Sequence, residues 1–189
     1  WRVESGVVEV FSVGLQEGRV ISSRHHFFTV LAGGLLFGMD FAASGLGRGM
    51  LAVGMVNTRL HRLPVARLRQ FAATPEGGTA LAPRLDEWVT GLARGVSKDI
   101  NPRADFTIEP GKAVDLATSQ TLRAKEGVIW LRVQTGALLF IGMEELDIAG
   151  KPVAFPLAAD ARLEALAAAR VDALDTVGVL ARAPETLWS

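Results

Sequence analysis

The chain has no cysteine, which excludes a disulfide framework and any thiolate-ligated metal site and suits a reducing compartment. It has no net charge, with twenty Lys plus Arg against twenty Asp plus Glu. No global field therefore draws it toward nucleic acid or an anionic membrane surface. Although 49% of the residues are hydrophobic, no uninterrupted apolar run approaches the roughly 18 residues of a membrane span. There is no Gly-x-x-x-x-Gly-Lys-[Ser/Thr] phosphate loop, so the chain is not expected to hydrolyse ATP. The first residues alternate in polarity where a signal peptide would show a basic region and an apolar core, so no signal peptide is expected. A start at Trp1, in mid-strand and without methionine, reads as a piece cut from a longer polypeptide, with strands that complete the first sheet expected ahead of it.

At 189 residues the chain can bury one generous core or two small ones, and its pattern favours two. Residues 1–13 (WRVESGVVEVFSV) read as a strand, a tight turn at Ser5-Gly6 and a second strand. Gln16-Glu17-Gly18-Arg19 is a turn signal, and residues 20–31 form an extended run rich in Val, Ile, Phe and Thr. Residues 50–60 alternate as a strand. Pro64 opens a short helix with Val65, Leu68, Phe71 and Ala72 at helical spacing. Residues 73–82 hold Pro75, Gly77 and Gly78 without an apolar period and read as a loop. Pro83 is expected to open a second helix in which Leu85, Trp88, Val89, Leu92 and Val96 share a face, ending before Asn101-Pro102. Beyond Asp105 come a turn at Ile108-Glu109-Pro110-Gly111, short strands over 113–117 and 121–124, and the most β-like stretch, 127–142, with a turn at Thr135-Gly136. In the tail, a short helix is expected near Leu163, a strand over 170–174 and a final helix after Asp175.

Two segments share a spacing: Val3-x-x-Gly6-x-Val8-x-Val10 and Val133-x-x-Gly136-x-Leu138-x-Phe140, each with a tryptophan just upstream, at Trp1 and Trp130. The shared strand-turn-strand context predicts a duplicated β unit. The domains expected are 1–73, a first roll ending in a short helix; 74–104, a linker and connecting helix; and 105–189, a second roll.

The stretch with functional character is Phe27 to Asp40, an extended segment that breaks at Gly33-Gly34 and delivers Phe37-Gly38 into a glycine-rich loop ending at Arg48. With Val3-Glu4-Ser5-Gly6-Val7-Val8-Glu9-Val10-Phe11, this stretch resembles the cyclic-nucleotide-binding-like β-roll family. The resemblance implies a mainly β fold with connecting helices, two tandem cyclic-nucleotide-binding-like (cupin-like, jelly-roll) β-rolls, in which residues 3–11 form a hairpin. It also implies a ligand loop at Gly38, Met39, Asp40 and Arg48. The family's loop reads Phe-Gly-Glu with an arginine nine residues on. Here Arg48 matches the arginine, whose guanidinium fork suits a cyclic phosphate. Met39 replaces the glutamate that accepts a hydrogen bond from the sugar hydroxyl, which methionine cannot do. Gly49 stands where the family has alanine, and Asp40 is the substitute acceptor at hand. The loop reads as a degenerate pocket that kept its shape and lost its nucleotide, so no cofactor is expected and a cyclic nucleotide is disfavoured.

Paired with GVIWLRVQTGALLFIGMEEL over residues 127–146, the first segment also resembles the tandem N-terminal region of NHLM-type ABC transporters, bacterial exporters of peptide natural products. That resemblance implies a non-catalytic, cytoplasmic accessory or regulatory domain of a bacteriocin exporter, attached to the inner membrane through the parent transporter. The implied partners are the rest of the transporter polypeptide and the leader peptide of a cargo precursor, with a homodimer as a further option. Nucleic acid and direct membrane insertion are not expected. The alternative is a sensor of a cyclic nucleotide or another anion through Arg48, and a third reading is a structural dimerisation module.

Other chemistry-bearing residues read as structural. His25 and His26 are adjacent on a strand and point to opposite faces, so without a bulge they cannot share one coordination sphere. His61 is the remaining histidine, and none has an evident carboxylate partner, so no metal is expected. Glu144, Glu145 and Asp147 read as a solvated loop, and no nucleophile-elbow pattern supports a Ser-His-Asp set. Trp88 reads as a core anchor. Arg59, Arg62, Arg67 and Arg69 read as a solvated basic cluster on and before the first helix, with an acidic leader peptide as the sharper alternative.

Overall fold

A computed structural model describes every residue except 18, 39–46, 99–102, 147, 152, 183–186, 188 and 189. The chain is mainly β, divides into two compact units, Trp1–Val65 and Ala66–Ser189, and has helices α1 (Val65–Ala72), α2 (Pro75–Val96) and α3 (Thr176–Arg182).

In unit 1, β1 (Arg2–Ser5) pairs with β6 (Arg59–His61), while β2 (Val7–Gln16) pairs with β3 (Arg19–Val20), β4 (His25–Leu31) and β5 (Arg48–Gly54), all antiparallel. The segment over residues 3–11 is therefore not the hairpin that the family resemblance implied. Val3 and Val8 are both buried although they are five apart, a spacing that in a straight strand would send them to opposite faces. Gly6, at φ +84°, absorbs the change and carries the strand from one sheet to the other. A Cβ at Gly6 would lie 2.7 Å from Thr58 Cα, so the glycine is required by conformation and by space. The expected turn after Gln16 is present as the β2–β3 hairpin.

Unit 2 places β13 (Phe155–Ala158), β10 (Val128–Thr135), β15 (Ala169–Leu174) and β8 (Ala113–Leu116) in one sheet. The other holds β12 (Glu144–Leu146), β11 (Leu138–Phe140), β14 (Leu163–Ala165), β9 (Thr121–Ala124) and β7 (Phe106–Ile108). Its core draws on both sheets: Ile129, Leu131, Val133 and Val171 with Leu122, Leu138, Leu163 and Ala165. The run Val128-Ile129-Trp130-Leu131 is apolar without alternation because both faces of β10 are covered. Trp130 packs in a second cluster with Leu174 and Val179.

The predicted duplication is present residue by residue in the pairing. Val3 opposes Leu60, and Val133 opposes Val171. Ser5 opposes Arg59, and Thr135 opposes Arg170, with a register shift at the same place in each pair. Val8 opposes Gly54, and Leu138 opposes Ala165. The amide of Met55 donates to Val7 O at 2.9 Å and that of Leu166 to Ala137 O at 2.9 Å. Gly136, at φ +91°, repeats the role of Gly6, and a Cβ there would lie 2.6 Å from Ala169 Cα.

Three further expectations fail. The loop over 73–82 is the first part of α2. Thr74 caps it, its Oγ1 accepting from Gly77 N at 3.0 Å and donating to Phe71 O at 2.9 Å, with Pro75 in the first turn. Gly77 is glycine because a Cβ there would lie 1.8 Å from Phe71 O, and Pro83 lies inside the helix instead of opening it. The helix expected near Leu163 is strand β14, paired with β11 and β9.

Candidate functional site

The segment Phe27 to Arg48 is anchored at both ends. β4 stops at Leu31, and Gly33, at φ +89°, turns the chain. The backbone of Val3 then exchanges two hydrogen bonds with the glycine pair, accepting from Gly33 N at 2.8 Å and donating to Gly34 O at 3.0 Å. Unit 2 repeats this turn, with Gly150 N donating to Val133 O at 2.8 Å.

At the far end, Arg48 opens β5 opposite Gly14. Its neighbours are held tightly: Leu15 N donates to Gly47 O at 2.6 Å, and a Cβ at Gly49 would lie 2.4 Å from Leu15 Cδ1. The glycine that departs from the family's alanine is thus the one that admits Leu15. The Arg48 side chain is exposed and makes no ion pair among the described residues. Gly38 is exposed, and a Cβ there would meet no atom of the described residues within 4 Å. Met39 and Asp40 lie outside the described residues, as does Asp147.

The interval from Gly34 to Arg48 differs between the repeats. The paired positions place Gly34 on Lys151, whose amide donates to Ile148 O as that of Gly34 does to Leu31 O. Counted back from β14, Arg48 falls on Ala159, six residues nearer than in unit 1. Unit 2 therefore has the shorter segment and no arginine at its end.

Two of the three histidines, His26 and His61, have carboxylate partners that the spacing did not reveal. His26 Nε2 is 2.6 Å from Glu9 Oε2, which also accepts from Thr29 Oγ1 at 2.7 Å. The Thr29 hydrogen bond, followed by that of His26, holds the Glu9 carboxyl below the ordinary range. His61 Nδ1 lies 3.7 Å from Glu4 Oε1. The Glu9 contact crosses from β2 to β4 beside a register shift between Val10 and Phe11. These are exposed cross-strand pairs, and among the described residues no group of three or more His, Asp or Glu is placed to hold a metal ion. Glu144 and Glu145 belong to strand β12, not to a loop. Two members of the basic cluster have partners within unit 1: Arg59 Nε donates to Ser5 Oγ at 3.2 Å from a strand, and Arg62 lies over the Trp1 ring at 6.0 Å.

Unit 2 also holds a polar chain. Trp130 Nε1 donates to Thr176 Oγ1 at 2.8 Å, and Thr176 Oγ1 donates to Asp86 Oδ1 at 2.5 Å. This ties β10, α3 and α2 together, and burial raises the Asp86 carboxyl above the usual carboxylate range. Trp88 is buried, as expected of a core anchor.

No family model matches the chain, and no curated protein matches it. A solved structure described as "cAMP bound PfPKA-R (141-441)" aligns over 94% of this chain and 64% of its own length, at 13% identity and a TM-score of 0.28. The chain thus spans less than two thirds of that structure. A likeness this distant carries no assignment of ligand or activity, and the fold description rests on the pairing pattern above. No helix among the described residues is long and apolar enough to cross a membrane.

Proposed function

We propose that the chain is a non-catalytic recognition or regulatory module, the cytoplasmic accessory domain of a bacterial peptide exporter, with a degenerate nucleotide cradle in unit 1. The carrying observation is the asymmetry of the duplication. Two units share one strand register, yet only unit 1 keeps the long interval from Gly34 that ends on an exposed arginine. Loops on a rigid scaffold are where binding functions concentrate, and a loop longer in one copy than in the other is one way a duplicated scaffold separates a binding copy from a structural one. The exporter setting rests on the resemblance of residues 1–13 and 127–146, and the partner it names is the leader peptide of a cargo precursor.

A second reading is a sensor for an anionic small molecule. The exposure of Arg48 favours it, since a guanidinium without an ion pair among the described residues is available to two ligand oxygens. Calorimetry with cyclic AMP and cyclic GMP, on the native chain and on Arg48→Ala, decides between the two. The first reading expects no heat at millimolar nucleotide and retention of leader peptide on the immobilised chain. Micromolar nucleotide binding that disappears in Arg48→Ala installs the second, and failure to retain any leader peptide overturns the first.

A further inference from the structure

Alternation along β2 divides its side chains between two faces. Val8 and Val10 are buried on the inner one, so Val7, Glu9 and Phe11 lie on the outer one. Their neighbours across the sheet are Leu31, Thr29 and His26 on β4 and Val53 and Leu51 on β5, with Met55 one step beyond. This outer face is apolar except at Glu9, Thr29 and His26. Leu31 is 63% exposed and Met55 54%, while Val7, Phe11, Leu51 and Val53 are half-buried. The equivalent face of unit 2 has the opposite pattern. The shared register puts Arg162 and Glu164 at the positions of Leu51 and Val53, and Leu139 at that of Glu9. Unit 2 thus carries charge at the flanks of this face, where unit 1 carries apolar side chains around a single carboxylate.

That carboxylate defines what covers the face. Glu9 Oε2 takes both the His26 and the Thr29 contacts, and Oε1 accepts no hydrogen bond among the described residues. Covering a carboxylate with apolar groups is costly unless a cation meets it. The described residues place no lysine or arginine on this face, so a second copy laying the same face on it would supply none. We propose that the outer face of β4, β2 and β5 receives an amphipathic helix of a partner polypeptide whose apolar stripe carries one lysine or arginine, set against Glu9. The dimensions agree. β4 and β5, on either side of β2, stand about 10 Å apart, and Leu51 to Met55 spans about 13 Å, the diameter of one helix and the length of about nine of its residues. A helix laid on a sheet is an ordinary way for an apolar sheet face to be closed. The surface does not involve Arg48, and it stands apart from the nucleotide and exporter readings.

The test uses two labelled synthetic amphipathic helices of about 14 residues, identical except for an arginine or a glutamate within the apolar stripe. Each is titrated against the 189-residue chain and followed by fluorescence anisotropy. We expect the arginine helix to bind about 10-fold more tightly than the glutamate one, and the preference to disappear in Glu9→Gln. Leu51→Arg with Val53→Glu installs the residues that unit 2 carries at these positions and should abolish binding of the arginine helix. Leu31→Arg, at an exposed position, should weaken it about 10-fold by like-charge repulsion. Hydrogen exchange of β2 amides reports that each variant stays folded. Equal binding of the two helices to the native chain, or binding unchanged in Leu31→Arg, overturns the proposal. A native chain that sediments as a dimer and becomes monomeric in Leu31→Arg assigns the face to a second copy and overturns the partner.

Discussion

The hydroxyl of Thr58 holds both backbone groups of Val7, accepting from its amide at 3.1 Å and donating to its carbonyl at 2.8 Å. This clamp sits where the chain leaves Gly6 and changes sheets. Unit 2 has Ala169 at the register position of Thr58, so unit 1 secures with a side chain what unit 2 secures by packing.

Replacing Thr58 by valine keeps the volume and leaves the Val7 amide without this partner. A loss of about 1–2 kcal/mol is expected, concentrated in unit 1. Hydrogen exchange of β2 amides measures it, and unchanged exchange would show that the clamp is incidental.

Gly136→Ala and Gly150→Ala separate conformation from space. Both glycines have positive φ, at +91° and +67°, which costs an L-residue about 1 kcal/mol. Among the described residues a Cβ at Gly150 meets nothing within 4 Å, whereas one at Gly136 meets Ala168 O at 2.5 Å. Urea unfolding should give about 1 kcal/mol for Gly150→Ala and at least ~2 kcal/mol more for Gly136→Ala.

The Trp130–Thr176–Asp86 chain predicts both a mutational and a pH effect. Thr176→Val leaves the Trp130 indole N–H buried without its partner, at a cost of about 1–3 kcal/mol. Because the Asp86 carboxyl is raised in the folded state, the unfolded chain releases this proton first as pH rises. Stability attributable to Asp86 is therefore greatest below the ordinary carboxylate range and falls as pH rises through the folded value. In Asp86→Asn that part of the pH dependence should be absent, and an unchanged profile in urea titrations would refute the assignment.

Pro83 is exposed within α2 and denies Thr79 O its helical donor. Pro83→Ala should stabilise unit 2 by about 1–3 kcal/mol, read as a raised midpoint in thermal unfolding. A lowered midpoint would mean that the proline shapes the helix for its packing.

What the sequence disclosed depended on whether the signal was local. The Gly6 and Gly136 spacings announced the duplication, and the apolar stretch over residues 127–142 announced the strands β10 and β11. Local signals misled where tertiary contacts ruled. The Gly77-Gly78 pair reads as loop until the close approach of Phe71 O is known. The alanine-rich tail reads as helix until Leu163 meets Phe140 and Leu122 across two ladders. The Glu9–His26 contact depends on a register shift that no single strand reveals. Of the candidate ligand loop, Arg48 and Gly38 could be placed, and Arg48 is the residue on which a ligand reading rests.

The shared register also makes the chain its own control. Each strand position in unit 1 from Val3 to Val10 has a numbered twin in unit 2, folded from the same polypeptide in the same solution. A substitution and its twin can thus be compared at constant temperature, salt and concentration, and the difference between them reads the local surroundings alone. The six-residue excess before Arg48 is one place where the twins part, and transplanting that excess into unit 2 asks whether the loop or its host decides what is bound.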